Sequence, residues 1–189
     1  MTDTATTQIT TDQLSGDYTL DPTHTRIGFV TRHAMVTKVR GAFNEFDSKL
    51  HIDAEDPSKS SAELTIQVAS IDTRNADRDG HLRSNDFFAM DEYPTIEFRS
   101  TSAEKVSDEV YRVGGDLTIR GVTKPVSVDF EFTGAARDPF GNLRVGFEGE
   151  TTLNRKDWGI TWNAALETGG VLVSEKVKLE FELSAIKNA

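Results

Sequence analysis

Apolar and polar residues alternate with a period of two along most of this chain, and this pattern limits its fold more than any other feature. The stretches 62–68 (AELTIQV), 126–132 (VSVDFEF) and 177–183 (VKLEFEL) each place an apolar side chain at every second position. A period of two with one apolar face is typical of antiparallel strands that have one buried and one solvated face. The sequence therefore predicts an all-β protein.

Turn residues separate the alternating runs. Asp138–Asn142 (DPFGN) places Pro and Gly where a reverse turn requires them, and the pairs Gly114-Gly115 and Gly169-Gly170 indicate bends or bulges. The predicted strands lie near 16–21, 25–34, 39–52, 61–70, 95–105, 110–120, 123–135, 142–154 and 170–186. We expect one domain over 14–189 after a Thr-rich, disordered tail at 1–13. Eight or nine such strands leave both a β-sandwich and a closed barrel open.

Two segments interrupt the strand pattern. Residues 75–93 (NADRDGHLRSNDFFAMDEY) lack alternation, and Asp77 or Asp79 is the expected helix N-cap. We predict one or two helical turns there, lying across one end of the barrel as a lid. The second segment, 154–168, contains both tryptophans, Trp158 and Trp162, which must pack on an apolar surface or line an opening.

Charge and composition exclude several classes of function. The chain has 21 Lys and Arg against 31 Asp and Glu, a net charge of −10, which disfavours binding to a phosphate backbone. The absence of cysteine excludes disulfides, thiolate metal sites and cysteine nucleophiles. No apolar run approaches the ~20 residues of a membrane-spanning helix. The first fifteen residues contain no Lys, Arg or apolar core of a signal peptide, so the expected location is the cytoplasm.

The polar residues provide only a weak catalytic or metal-binding signal. Common nucleotide-binding, hydrolase and metalloprotease motifs are missing from the sequence. Asp21, His24, His33, Asp79 and His81 are side chains of the types that bind zinc or iron, but their spacing does not bring them together. We therefore expect no metal, and we expect Arg78 and Asp79 to pair with each other or with strand-end backbone groups that fix the lid.

Ordered segments of the chain resemble the YceI-like family of polyisoprenoid-binding proteins. They are 21–29 (DPTHTRIGF) followed by His33 and 41–43 (GAF), then 71–75 (IDTRN), 78–88 (RDGHLRSNDFF), 93–98 (YPTIEF), 115–124 (GDLTIRGVTK) and 155–160 (RKDWGI), and the resemblance spans about 16–186. It implies an eight-stranded antiparallel lipocalin-like barrel with a short helical lid segment. The implied interior ligand is a polyisoprenoid, such as an isoprenoid quinone, and no cofactor is implied. Many family members carry a secretion leader that is not seen here, and Trp158 stands where Phe is usual, which narrows the space.

The same resemblance implies a set of ligand-binding residues. These are the lid residues Leu82, Phe87 and Phe88, the pair Trp158 and Ile160, the inward strand residues Phe29, Phe43, Leu64, Ile66, Ile96, Phe98, Leu117, Ile119 and Phe130, and His33 for a head group. The leading hypothesis is non-enzymatic binding, storage or transport of an apolar lipid. The expected partners are that small molecule and a second copy of the chain. Two alternatives stay open: an enzyme that acts on a bound lipid through His33, Asp79 or His81, and an interaction module whose interior is fully packed with side chains.

Overall fold

The computed structural model describes residues 8–189, and its strands form one antiparallel sheet. The strands are β1 (Gly16–Leu20), β2 (Arg26–His33), β3 (Thr37–Phe43), β4 (Phe46–Ile52), β5 (Ser61–Gln67), β6 (Ile71–Asp72), β7 (Thr95–Lys105), β8 (Val110–Ile119), β9 (Val122–Arg137), β10 (Leu143–Asn154) and β11 (Lys176–Lys187). The α-helices are α1 (Thr11–Leu14) and α2 (Ala76–Arg83), and 3₁₀ turns lie at Pro57–Lys59, Val68–Ser70 and Arg155–Trp158. None of these described helices is long and apolar enough to cross a membrane.

The sheet closes on itself because the first strand pairs with the last. Leu20 of β1 pairs with Ala185 of β11, and Arg26 of β2 pairs with Glu182 of the same strand, so β1 and β2 act as one interrupted strand. The registers join β3 with β4, and β5 with β6, in the same way. The eleven segments therefore form a closed eight-stranded up-and-down barrel. This confirms the predicted barrel and removes the sandwich alternative.

The connections lie at two opposite ends of the barrel. One end, here called the lid end, has α2 and the turns that follow, the β8–β9 turn, the segment 155–175 and the β2–β3 turn. The other end, here called the α1 end, has α1, the β4–β5 connection and the β7–β8 and β9–β10 turns. Each strand therefore runs from one end to the other, and its inward side chains follow the length of the interior.

Packed side chains support the barrel wall near each of its two ends. Beneath the lid end, Ile71 and Val68 are almost fully buried in a cluster that also contains Trp158. Nearer the α1 end, Tyr18 is 1% exposed, and its hydroxyl donates a 2.7 Å hydrogen bond to the carbonyl of Leu14. This bond attaches the short helix α1 to the barrel.

The N-terminal tail and the cap of α2 both differ from what the sequence predicted. Within the predicted tail at 1–13, residues 1–7 lie outside the described part of the chain. Thr11–Leu14 form a helical turn, at whose start the Thr10 amide donates a 3.0 Å hydrogen bond to Gln13 Oε1. The prediction of Asp77 or Asp79 as the N-cap of α2 is wrong. Asn75 caps the helix, because its backbone is extended and its side chain accepts a 3.0 Å hydrogen bond from the Arg78 amide.

Candidate functional site

The barrel encloses a cavity of about 390 Å³ with an almost wholly apolar wall. The lining runs from Leu82 and Phe87 at the lid end to Leu14 and Ile52 at the α1 end. Its walls are built from the inward side chains of the alternating strands, while the charged residues of those strands point outward. The period-two pattern of the sequence thus produces a continuous apolar interior.

Several inward side chains remain partly exposed although they point away from bulk solvent. Leu64, Phe98, Phe130 and Phe181 line the cavity, and each is only half-buried. In a close-packed core such residues would contact neighbours on every side. Their exposed surface therefore faces the lumen, and the interior is open rather than filled with side chains.

Glycines on neighbouring strands allow phenylalanine rings to lie flat against the barrel wall. The ring of Phe29 covers Gly41, its direct cross-strand partner, so closely that an added methyl group would overlap the ring. The ring of Phe130 covers its partner Gly149 in the same way, with Cδ1 at 2.8 Å from the position of an added Cβ. A ring that covers a glycine occupies wall space, whereas a side chain in place of the glycine would push the ring into the lumen.

The lid is held in place by polar contacts behind its apolar face. Asp79 is 8% exposed and accepts hydrogen bonds from the amide (2.9 Å) and hydroxyl (2.6 Å) of Thr73. Arg78 donates to the Thr73 hydroxyl at 2.8 Å and to its carbonyl at 2.7 Å. Arg78 and Asp79 thus both bind Thr73, at the end of β6, rather than each other. The expectation that they fix the lid to strand-end groups is confirmed.

The segment 155–175 covers the rest of the lid end. Trp158 is 3% exposed, and its indole Nε1 donates a 3.0 Å hydrogen bond to the carbonyl of Leu117. Arg155 is buried on the cavity wall, where it donates to the carbonyls of Ser174 (2.8 Å), Ile160 (2.8 Å) and Val173 (3.3 Å). Burial lowers the pKa of this guanidinium.

Comparison with known proteins agrees with this architecture. The model of the YceI-like domain family matches residues 18–185. The chain belongs to the YceI-like family. A UPF0312 protein of Staphylococcus aureus is 41% identical over 165 residues, which cover 87% of this chain and 94% of that protein. The YceI protein of Campylobacter jejuni has a TM-score of 0.73 and 28% identity, covering 84% of this chain and 90% of that one.

A more distant structure shares the fold of this YceI-like protein. A polyisoprenoid binding domain from Saccharophagus degradans has a TM-score of 0.67 and 16% identity, with 90% of this chain and 98% of that chain covered. At this level of identity the likeness shows the fold alone.

The YceI-like barrel places fourteen of the fifteen predicted ligand-binding residues on the cavity wall. His33 is the exception. It lies at the end of β2, exposed to solvent, where its backbone forms a bridge with Val173. His33 lies on the same face of β2 as Phe29 and Thr31. At this position, however, the β2–β3 hairpin extends beyond the residues that line the cavity. Contact of the fourteen with a ligand stays a prediction.

The wall also contains residues that the sequence reasoning did not assign to the site. Leu20, Phe132, Phe147, Leu179, Phe181 and Leu183 all line the cavity. Most of them lie in the alternating runs, so parity alone would have found them. Arg155 gave no such signal, because a charged residue after a strand is ordinarily expected at the surface.

The polar residues considered as catalytic or metal-binding do not come together in one cluster. His24 Nδ1 lies 2.7 Å from Asp21 Oδ2 in the β1–β2 connection, and His81 Nε2 lies 2.8 Å from Asp86 Oδ2 behind the lid. Neither His81 nor Asp79 lines the cavity. Within residues 8–189, no three His, Cys, Asp or Glu side chains are grouped so that they could hold a metal ion.

Proposed function

We propose that this YceI-like protein binds the apolar chain of a long isoprenoid or similar amphiphilic lipid in its barrel, and stores or carries it without chemical change. The observation that carries the proposal is the continuous apolar cavity between the two ends of the barrel. Its volume of about 390 Å³ lies within the range of roughly 300–1,000 Å³ that is typical of small-molecule sites. A cytoplasmic location and a homodimer stay predictions.

The energetics of such a cavity favour long chains. Each CH₂ group removed from water contributes about 0.8 kcal/mol. A chain of ten such groups gains about 8 kcal/mol, which falls within the roughly 4–15 kcal/mol that association costs in lost freedom, so a longer chain is needed for a clear net gain. Because the wall offers few polar partners, the binding free energy must come from the length of the apolar chain. A polyisoprenoid meets this requirement, and the S. degradans neighbour of the same fold is a polyisoprenoid binding domain.

The chemistry of the wall supports binding rather than catalysis. The guanidinium of Arg155 is occupied by three backbone carbonyls. Asp53, at the α1 end of the lining, accepts hydrogen bonds from the amides of Glu55 and Asp56 in its own loop. His51 is bonded to Asp17 outside the barrel. These contacts engage Arg155, Asp53 and His51 in structural roles.

Native mass spectrometry of protein purified without detergent, followed by lipid extraction, tests the proposal. We expect a bound species with the mass of a long-chain lipid. Ala62→Trp places an indole in the lumen and should lose that species, whereas Glu63→Trp places it on the outer face and should retain it. Both variants should fold. The Ala62→Trp indole enters an open interior, which accepts added volume that a packed core rejects, and the Glu63→Trp indole stays outside the barrel.

Two results would overturn the proposal. One is a barrel that carries no lipid and binds none of a supplied series of isoprenoids or similar amphiphilic lipids. The other is an Ala62→Trp variant that fails to fold while Glu63→Trp folds normally, because that difference would indicate a packed interior.

A further inference from the structure

The hairpin formed by β2 and β3 differs in charge from the rest of the molecule. Residues 22–44 contain no Asp or Glu, although the chain has 31 of them. The same stretch contains four of the chain's 21 Lys and Arg residues. Arg26 and Arg40 both pair with Glu180 of β11, at 3.6 Å and 3.3 Å. Within residues 8–189, Arg32 and Lys38 therefore carry the hairpin's unpaired positive charge, on a protein of net charge −10.

The turn of this hairpin also exposes apolar side chains. Met35 is 62% exposed and Val36 is 76% exposed, and Val171 of the adjacent segment is 37% exposed. The Ala34 amide donates a 2.8 Å hydrogen bond to the carbonyl of Leu172, which holds the turn against that segment. Met35, Val36 and Val171, here called the apolar tip, thus form one patch at the lid end.

The backbone of the turn is unusual for the residues it contains. Ala34 and Met35 have φ values of 51° and 62°, and the Val36 amide donates to the His33 carbonyl at 3.1 Å. Asn and Gly are strongly preferred at such central turn positions because they tolerate positive φ. The turn therefore presents an apolar side chain where the backbone favours a small polar residue.

Two cations adjoin the apolar tip on the hairpin itself. Arg32 donates to the Val36 carbonyl at 3.2 Å, and Lys38 is exposed without an ion pair among residues 8–189. In the adjacent segment, Glu175 is paired with Lys156 at 2.7 Å, and Glu167 adds one exposed acid. The nearest charges on the hairpin itself are all positive.

The α1 end provides a contrast. Phe140 is 90% exposed in the β9–β10 turn and Val106 is 40% exposed in the β7–β8 turn. Asp138 adjoins the first turn, and Asp108 and Glu109 adjoin the second. Exposed apolar side chains thus occur at both ends of the barrel, but the apolar tip at the lid end lies on an acid-free hairpin.

We propose that the apolar tip docks on the surface of an anionic lipid bilayer. Met35 and Val36 enter the headgroup region while Arg32 and Lys38 contact lipid phosphates, a combination that is typical of peripheral membrane attachment. Thr31 and Val173 of the cavity wall lie close to the tip in the chain. Docking therefore brings the lid end of the cavity to a source of lipid, and in this respect the inference rests on the proposed function.

Vesicle co-sedimentation tests this docking directly. We expect the protein to bind phosphatidylcholine vesicles that contain phosphatidylglycerol, to bind pure phosphatidylcholine vesicles much less, and to dissociate from the anionic vesicles at high salt. Lys38→Gln should weaken binding about fivefold, as expected for one cation near an anionic surface. Met35→Ser with Val36→Ser should weaken it at least about tenfold, because two buried apolar groups are lost.

Two further variants separate docking from folding. Ala34→Asn with Met35→Gly gives the turn its preferred residues, so it should keep the fold and still lose vesicle binding. Phe140→Ser removes an exposed aromatic ring from the α1 end and should bind vesicles as the unchanged protein does. Equal binding by all variants, equal binding to neutral vesicles, or association of the tip with a second copy of the chain instead of vesicles would overturn the proposal.

The lipid content of the same variants distinguishes this inference from the proposed function. A tip variant that retains its bound lipid in native mass spectrometry but no longer binds anionic vesicles supports docking independently of the proposed function. A protein that never carries lipid but still binds anionic vesicles through the tip would overturn the proposed function and leave docking standing.

Discussion

Replacement of Gly41 by alanine should narrow the lumen without unfolding the barrel. An added Cβ would meet three atoms of the Phe29 ring, with Cε1 at 2.7 Å and Cε2 at 2.9 Å, and no other group is among its nearest neighbours. Ordinary contacts between carbon atoms are about 3.5–4.0 Å, so the ring must move by about 1 Å. Because the backbone of Gly41 does not require positive φ, alanine is compatible with the strand.

The cost of this movement depends on whether the lumen is open. In the empty protein, the ring moves into free space. Alanine also lowers the conformational entropy of the unfolded chain, which stabilises the folded state by about 0.4–1 kcal/mol. We expect a change in unfolding free energy within about 1 kcal/mol of zero. With ligand present, the ring competes for the same volume, and overpacking of about 1–3 kcal/mol corresponds to roughly 5- to 150-fold weaker binding of a long-chain lipid.

The assay combines denaturant unfolding of the lipid-free protein with competitive titration of a fluorescent long-chain lipid. Phe29→Leu in the Gly41→Ala background should restore much of the affinity because the smaller side chain clears the lumen. Gly80→Ala is the matched control: an added Cβ meets nothing within 4 Å there, so affinity should not change. A loss of about 3 kcal/mol or more in the empty protein with unchanged affinity would refute the reasoning, because it would show that Phe29 faces packed side chains.

Three further predictions follow from the same structure. In a homologous series of straight-chain amphiphilic lipids, affinity should rise about fourfold per CH₂ until the chain fills the cavity, as measured by isothermal titration; a flat series would contradict an apolar lumen. A hydrogen bond from Arg144 holds the pKa of Asp21 well below its usual range, so this pair stabilises the fold at neutral pH and its contribution is lost as the pH falls below about 4. As the pH is lowered from 7 to 2, the thermal midpoint of unfolding should fall less for Arg144→Met than for the unchanged protein. Trp158→Phe should cost about 1–3 kcal/mol in chemical denaturation, because the Leu117 carbonyl loses its buried donor, and should admit a bulkier ligand.

The alternation in the sequence predicted most of the wall because parity alone determines which strand face is apolar. Phe98 and Phe130, for example, were placed inward by their neighbours Glu97 and Asp129. The lid could also be predicted, since residues 75–93 break the pattern while retaining apolar side chains that need burial. In both cases the signal is local in the chain.

The remaining features depend on contacts that no local pattern contains. Closure needs the pairing of Tyr18 with Lys187, which are distant in sequence. The open lumen depends on Gly41 lying opposite Phe29, and a lone glycine in a strand equally predicts a bulge. Parity also placed His33 inward, but it cannot show where the strand leaves the barrel.

The three interrupted strands have a consequence for local opening of the barrel. Strands β7 to β11 run without interruption for 10 to 16 residues. The other three break side by side at 21–25, 44–45 and 68–70, where the Asn44 amide donates to the Ser70 carbonyl at 3.2 Å. Amide hydrogens along these breaks should exchange with solvent far sooner than those of β7 to β11. Since β6 leads directly into α2, partial unfolding of the interrupted strands would expose the lumen while the uninterrupted strands stay folded.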